Sequence, residues 1–305
     1  MKAMITGSGG FVGGYLRTEL EEHGYTVTGL DLKAGPGTLA ADLLDREETL
    51  AAVRDVLPDT VFHLAGQADI GLSWKIPQQT IAVNEIAAVN LLEAVRTVCP
   101  DCTVVLVGSS DQYGDLGAAG ASVSEETPTR PMNPYAVSKD AQEKLGKAYA
   151  RAYGLKVLMT RSFNHSGAGQ RTGFMVPDFA SGIVRAERGE AEAVSVGNLE
   201  TKRDMTHVKD IVRAYRLIAE RGVPGEIYNV GSGTAYGVRE VLDRLIALSG
   251  NAVKVVQDPA RTRPSDTPVI RCDHGKLTRD TGWEPEHGLD DILKDVLEYY
   301  RRRKN

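Results

Sequence analysis

Short apolar runs alternate with amphipathic stretches along most of the first 230 residues. KAMIT (2–6), YTVTGL (25–30), TVFHLA (60–65) and TVVLV (103–107) read as strands buried on both faces. Between them, residues 11–23, 46–56 and 79–98 carry apolar side chains at helical spacing. Another helix runs through residues 135–153 and stops at Gly154. Strand and helix in regular alternation predict an α/β fold: a Rossmann-like, doubly wound parallel sheet with a smaller α/β lobe beside it. Residues 174–188 begin that lobe, 207–221 and 225–230 read as a helix and a strand returning to the sheet, and 233–303 complete the lobe. The expected division is 1–164 plus about 204–230 against about 165–203 plus 231–305.

Composition narrows the class only slightly. The 305 residues are 42% hydrophobic and 25% charged, with a net charge of −5, as in an ordinary globular chain. The longest basic run, Arg301 to Lys304, reads as the solvated end of a last helix, so no nucleic-acid partner is expected. Residues 2–6 enter a strand without a charged leader, and no segment reaches 18 apolar residues. The expectation is a cytoplasmic protein with no membrane partner. Cys99 and Cys102 have metal-ligand spacing but no second pair, and Cys272 stands alone, so reduced thiols and no metal are expected. His165 and His207 likewise lack ligand spacing and read as structural.

Candidate chemistry sits at the strand ends. Strand 2–6 runs into Gly7-Ser-Gly-Gly10-Phe-Val-Gly13 and then a helix, the context a dinucleotide fingerprint needs. Gly7 permits the tight turn, Gly10 admits the pyrophosphate to the backbone, and Gly13 allows close packing; the helix N-terminus offers N–H groups to phosphate. Asp31 closes the second strand, 24 residues past Gly7, where a carboxylate accepts from ribose hydroxyls and repels a 2′-phosphate. NAD(H) is therefore favoured, with NADP(H) as the alternative because Lys33 is close by. Tyr135 and Lys139, four apart on one helix, share a face, and the ammonium is expected to lower the phenol's pKa. Ser109, at the end of the strand 103–107, comes to the same sheet edge and can donate to a carbonyl oxygen while Tyr135 delivers a proton.

With these residues assembled, the chain resembles, nearly end to end, the extended short-chain dehydrogenase/reductase family of nucleotide-sugar epimerases, dehydratases and reductases. The resemblance implies a catalytic set of Ser109, Tyr135 and Lys139. It implies cofactor contacts from Gly7, Gly9, Gly10, Phe11, Val12, Gly13, Asp31, Leu32, Asp42, Leu43, Leu64, Ala65 and Gly66, besides Tyr135 and Lys139. Phe163-Asn164-His165 and the stretch 197–204 (GNLETKRD) are similar to the GDP-mannose branch. That similarity implies a GDP-sugar held by Asn84, Ser110, Asn164, Val176, Lys202, Arg203, Arg263 and Asp266, and the run from Arg161 to His165 as a substrate element. Cations suit a diphosphate, arginine bidentately. Dehydratases of the branch place Thr and then, two residues on, a Glu that acts on the C5 proton; Ser109 and Asp111 stand there. Asp111 is about one methylene shorter, and reads either as a base or as a turn cap. The dehydratases also carry a longer, arginine-bearing loop where this chain has only residues 32–41. These departures imply reduction of a 4-keto sugar to GDP-D-rhamnose, with 4,6-dehydration and then 4-epimerisation as alternatives. A dinucleotide-binding regulator, which would have lost Tyr or Lys, fits less well. Pairing into a homodimer through helices 79–98 and 135–153 is the family's habit.

Overall fold

The computed structural model describes residues 1–115, 121–258 and 270–303. In chain order its first elements are β1 (Lys2–Thr6), α1 (Phe11–Glu22), β2 (Thr26–Asp31), β3 (Thr38–Ala40), α2 (Arg46–Val56) and β4 (Thr60–His63). Next come α3 (Ile70–Lys75), α4 (Pro77–Ile81), a π-helical turn (Ala82–Ile86), α5 (Ala87–Val98), β5 (Thr103–Ser109) and a short 3-10 turn (Ser110–Tyr113). They are followed by β6 (Ala121–Val123), α6 (Pro134–Tyr153), β7 (Lys156–Ser162), β8 (His165–Ser166), α7 (Met175–Glu187), β9 (Val194–Val196), β10 (Lys202–Asp204) and β11 (Thr206–His207). The chain ends with α8 (Val208–Arg221), β12 (Ile227–Val230), β13 (Ala235–Gly237), α9 (Val238–Ser249), β14 (Val255–Gln257), β15 (Ile270–Cys272), α10 (Gly275–Thr281) and α11 (Leu289–Arg302).

Seven strands pair in the order β12-β7-β5-β4-β1-β2-β3, every pairing parallel. A parallel sheet must be covered on both faces. One face packs on α2, α5 and α6 through Met4, Val61, Leu91, Leu92, Val104 and Met159. The other packs on α1, α8 and α10 through Ile5, Leu16, Phe62, Tyr215 and Trp283. A separate apolar core, built from Phe179, Ile183, Val241, Leu245, Ile292 and Leu293 of α7, α9 and α11, forms the second lobe. Because β1 lies between β2 and β4, the winding direction reverses there, which opens a crevice beyond the C-terminal ends of β1 and β4.

The helix ends follow their local chemistry. Asp45 accepts from the N–H groups of Glu47 and Glu48 to start α2, and Asn133 accepts from Ala136 N at 2.8 Å to start α6, with Pro134 in the first turn. Gly154, at φ 69°, ends α6. One expectation is revised: residues 79–98 are not one uninterrupted helix, since a π-turn intervenes at 82–86. A π-turn accommodates an extra residue and re-aims its side chains. Here Asn84, fully buried, donates to Ser138 Oγ (2.8 Å) and to Gln67 O (3.1 Å) and accepts from Gln67 N (2.8 Å).

Candidate active site

The turn after β1 is shaped by close approach. Gly7 has φ 70°, its N–H donates to Leu30 O at 2.8 Å, and a Cβ there would lie 2.8 Å from Ala65 N. A Cβ on Gly13 would lie 2.7 Å from both Gly7 O and Ser8 O. The third glycine thus lets α1 begin directly on the turn. Gly10, the N-cap of α1, has no side chain to bond the first-turn N–H groups, so those of Phe11 and Val12 face the crevice as a ready anion site. Asp31 Oδ2 accepts from Gly9 N at 2.9 Å and Oδ1 from Leu32 N at 2.8 Å, which puts the carboxylate at the mouth of the turn. These are a cradle that a side chain would fill and an acceptor where a ribose would lie, so the residues present fit a dinucleotide.

The other expected cofactor contacts divide. Thr6 Oγ1 lies 2.8 Å from Nδ1 of the buried His63 and accepts from Ala65 N at 3.3 Å, tying Leu64 and Ala65 to the glycine turn. Burial and the nearby Lys139 charge hold the His63 imidazole down to about 3, so it stays neutral. Gly66 leaves room for Asn84, whose Oδ1 would be 2.8 Å from a Cβ at that position, and lies beside Lys139, whose Nζ would be 3.5 Å away. Asp42 and Leu43 are placed differently from the expectation. Asp42 Oδ1 accepts from Leu44 N at 2.9 Å as a turn cap, and the Leu43 side chain is buried in the core. Leu32 is exposed beside Asp31.

Across the crevice, Ser109 at the end of β5 is brought to Tyr135, which shares α6 with Lys139. All three are nearly buried. Ser109 lies beside the Tyr135 phenol and favours its ionised form. Lys139 Nζ donates to Val107 O (2.8 Å) and to Gln142 Oε1 (3.1 Å). The expected lowering of the Tyr135 pKa is overturned: burial, followed by the Asp111 charge, pushes it up, and the neighbouring Ser109 offsets this only in part. The ammonium is engaged by Val107 and Gln142, while desolvation penalises the phenolate. Burial also lowers Lys139 to about 8. Asp111 belongs to the turn that Ser109 caps: its N–H donates to Ser109 Oγ, and Ser109 Oγ donates to its Oδ2, both at 3.2 Å. Ser110 opens that turn. Asp111 therefore sits in the first turn of the helix that Ser109 caps, and its carboxylate acts electrostatically on Tyr135.

Sequence reasoning missed what holds Ser109 in place. Ser109 N donates to Gln112 Oε1 (2.9 Å), and Gln112 Nε2 donates to Glu143 Oε2 (2.9 Å). Glu143 receives Arg161 bidentately at 2.7 and 2.8 Å. The Arg161 guanidinium lies 4.8 Å above the Tyr113 ring. Arg161, expected among the substrate elements, is thus a buried ion-pair partner instead. The available signal was a glutamate at position 143 on the same helical face as Lys139.

Of the expected substrate residues, Asn164 is exposed at the end of β7, with its carbonyl accepting from Thr206 N at 2.9 Å. Asn84 is spent within the protein, as described above, and the Val176 side chain is 1% exposed in the core of the second lobe; neither side chain faces a ligand. Lys202 and Arg203 are adjacent on β10 and so point to opposite faces. Lys202 borders a cavity of about 460 Å³ with Leu199, Gly237 and Arg239. Asp204, which ends β10, is buried and accepts from Ser232 Oγ (2.8 Å) and Cys272 N (2.9 Å). Arg263 and Asp266 lie outside the described residues. His207 accepts from Lys209 N to cap α8 and stacks on His287 at 4.6 Å, a structural arrangement. Cys99, Cys102 and Cys272 are free thiols. Among the described residues no His, Cys, Asp or Glu group fits a metal, and no helix is long and apolar enough to cross a membrane.

Comparison with known proteins gives a consistent picture. The family model described as GDP-mannose 4,6 dehydratase matches residues 4–296. The chain is 34% identical to GDP-6-deoxy-D-mannose reductase of Pseudomonas aeruginosa, over 99% of this chain and 98% of that one. It is 29% identical to UDP-glucose 4-epimerase of Streptomyces lividans, covering 98% and 96%. The solved structure of RMD from Pseudomonas aeruginosa complexed with NADPH superposes with a TM-score of 0.89 at 31% identity, covering 98% of each chain. A Thermus thermophilus UDP-glucose 4-epimerase in complex with NAD gives 0.90 at 29%, covering 99% of each.

Proposed function

Since the chain belongs to the GDP-mannose 4,6-dehydratase family of short-chain dehydrogenase/reductase-type nucleotide-sugar enzymes, we propose that it reduces GDP-4-keto-6-deoxy-D-mannose at C4. The product is GDP-D-rhamnose, and the hydride comes from NAD(P)H. The observation that carries this reading is a buried, protonated Tyr135 next to Ser109, with Lys139 one helical turn on. When bound, the reduced nicotinamide supplies hydride to the carbonyl carbon. Tyr135, neutral because burial raises its pKa, gives its proton to the carbonyl oxygen. Ser109 turns its O–H from Asp111 to that oxygen. Lys139 holds the nicotinamide ribose and, through Val107 and Gln142, keeps the helix face in place. Asn164 and Arg203 bind the diphosphate.

Similarity over the full length to a reductase, and an Asp111 carboxylate engaged by Ser109, favour reduction. The 4,6-dehydratase reading is kept because Asp111 acts on Tyr135 and so lies close to the reacting atoms. Mixing the protein with GDP-mannose alone, and with the 4-keto sugar plus NADH, separates the two. NADH loss with the keto sugar alone supports the reductase, whereas keto sugar formed from GDP-mannose without added cofactor identifies the dehydratase. We further propose a cytoplasmic homodimer, its contact made by the apolar exposed Ile81, Ile86, Val137 and Tyr153.

Two outcomes follow from the groove. Asp31→Ser removes the charge that repels a 2′-phosphate, so the NADP(H)/NAD(H) preference is expected to rise at least about tenfold, read from fluorescence-titrated Kd values. An unchanged ratio would show that Asp31 does not meet the ribose. Lys139 loses its proton as pH rises through about 8, so dinucleotide affinity and kcat/KM should fall there. Stability has the opposite sign. The unfolded lysine stays charged up to 10.5, so the folded state gains as pH rises from about 8 to 10.5.

A further inference from the structure

Between β8 and α7 the second lobe sends out residues 167–173 (GAGQRTG), a segment rooted at one point and pinned to the first body at two. Its root is Gln170, buried, whose Oε1 accepts from Ser166 Oγ (2.6 Å) and whose carbonyl accepts from Tyr300 Oη (2.9 Å). The first pin is Tyr15 Oη, which donates to Ala168 O at 2.8 Å. Tyr15 is one turn along α1 from Phe11 of the glycine turn, and their rings meet edge-on at 5.5 Å. The second pin is Arg171, whose Nη2 lies 3.6 Å from Asp69 Oδ2 while its guanidinium covers the Phe174 ring at 5.3 Å. Asp69 stands three residues beyond Gly66, the residue beside Lys139, and caps α3 through Leu72 N at 3.0 Å.

One pin thus lies on the pyrophosphate side of the crevice and the other on the Lys139 side. Only Gly169 and Gln170 separate the two pins, so Ala168 and Arg171 reach the two sides of the groove from either side of the buried root. Gly169 (φ 89°) and Gly173 (φ 100°) flank the root and the Arg171 pin, a Cβ on Gly169 would meet open space, and Arg171 is 65% exposed. The stretches on either side of Gln170 can therefore swing at these glycines while Gln170 stays anchored. We propose that residues 167–173 are a strap across the dinucleotide groove, and that release of the Tyr15 and Arg171 pins sets the rate at which the cofactor leaves. The inference rests on the dinucleotide part of the proposed function and not on the sugar. A reductase must exchange its cofactor in every turnover, so one hydrogen bond and one long, exposed ion pair suit it better than a sealed groove.

The test is dissociation of NADH from the intact protein, followed by stopped-flow fluorescence during displacement by excess NAD. Arg171→Gln and Asp69→Asn (which keeps an N-cap on α3) should each speed release roughly 1.5- to 5-fold, the range for an exposed ion pair. Their double variant should be no faster than either alone. Tyr15→Phe should speed release roughly 2- to 10-fold. Trypsin supplies a second readout, because Arg171 is its target within the strap: saturating NADH should slow the cut at Arg171, and Asp69→Asn should hasten it. Unchanged release in all variants, or additive effects of Asp69→Asn and Arg171→Gln, overturns the strap while leaving the dinucleotide reading intact. Wild-type protein that binds no NADH or NADPH overturns both.

Discussion

Tyr135→Phe is expected to lower kcat roughly a hundred- to ten-thousand-fold, the usual contribution of a positioned acid, while leaving the dinucleotide Kd nearly unchanged. The phenyl ring preserves the buried packing of α6 against the crevice, since Tyr135 is only 8% exposed. What disappears is the one hydroxyl that Ser109 contacts on that helix. A structural effect would lower stability and cofactor binding together, so single-turnover rates and NADH titration on the same sample separate the two. Turnover close to wild type in this variant would remove Tyr135 from the mechanism, and the proposed reduction with it. Because burial keeps the phenol protonated well above neutral pH, the wild-type rate should not fall through loss of this proton before the Lys139 limb near 8 is reached.

Glu143→Ala is expected to produce the largest loss of stability. Arg161 and Glu143 are each 5% exposed, and removing one partner strands the other charge in a dry site, at a cost of about 3–5 kcal/mol. Urea unfolding monitored by far-UV circular dichroism measures it. The matched change of both residues to methionine should recover much of the loss, because a buried pair gains little over a well-packed apolar one. If the double variant loses the sum of the two single effects, the pair is not the source of the cost. Glu143 also reaches Ser109 through Gln112, so whatever Glu143→Ala protein remains folded should show a lower kcat, with less effect on the KM for dinucleotide.

The crevice was legible where its chemistry depends on neighbours along the chain. A glycine triplet between a strand and a helix, an acid at the end of the next strand, and Tyr135 and Lys139 one helical turn apart each follow from backbone geometry over a few residues. The alternation of apolar runs and amphipathic stretches determined a parallel sheet covered on both faces, and with it the edge where ligands bind.

What the tertiary structure decided depends on distant partners and on burial, neither of which is a property of local spacing. It set Ser109 against Tyr135, and it turned the expected drop in the phenol's pKa into a rise, because desolvation outweighs an ammonium directed elsewhere. It drew Asn84 inward through a π-turn and assigned Arg161 to Glu143 in place of a substrate. It also split Lys202 from Arg203, since adjacent residues of a strand point to opposite faces however basic both are. Sequence by itself determined which backbone turns can cradle a dinucleotide and which helix carries the acid. Only the packing of remote elements determined how each polar side chain is satisfied, because a buried group takes the partner that lies nearest in space.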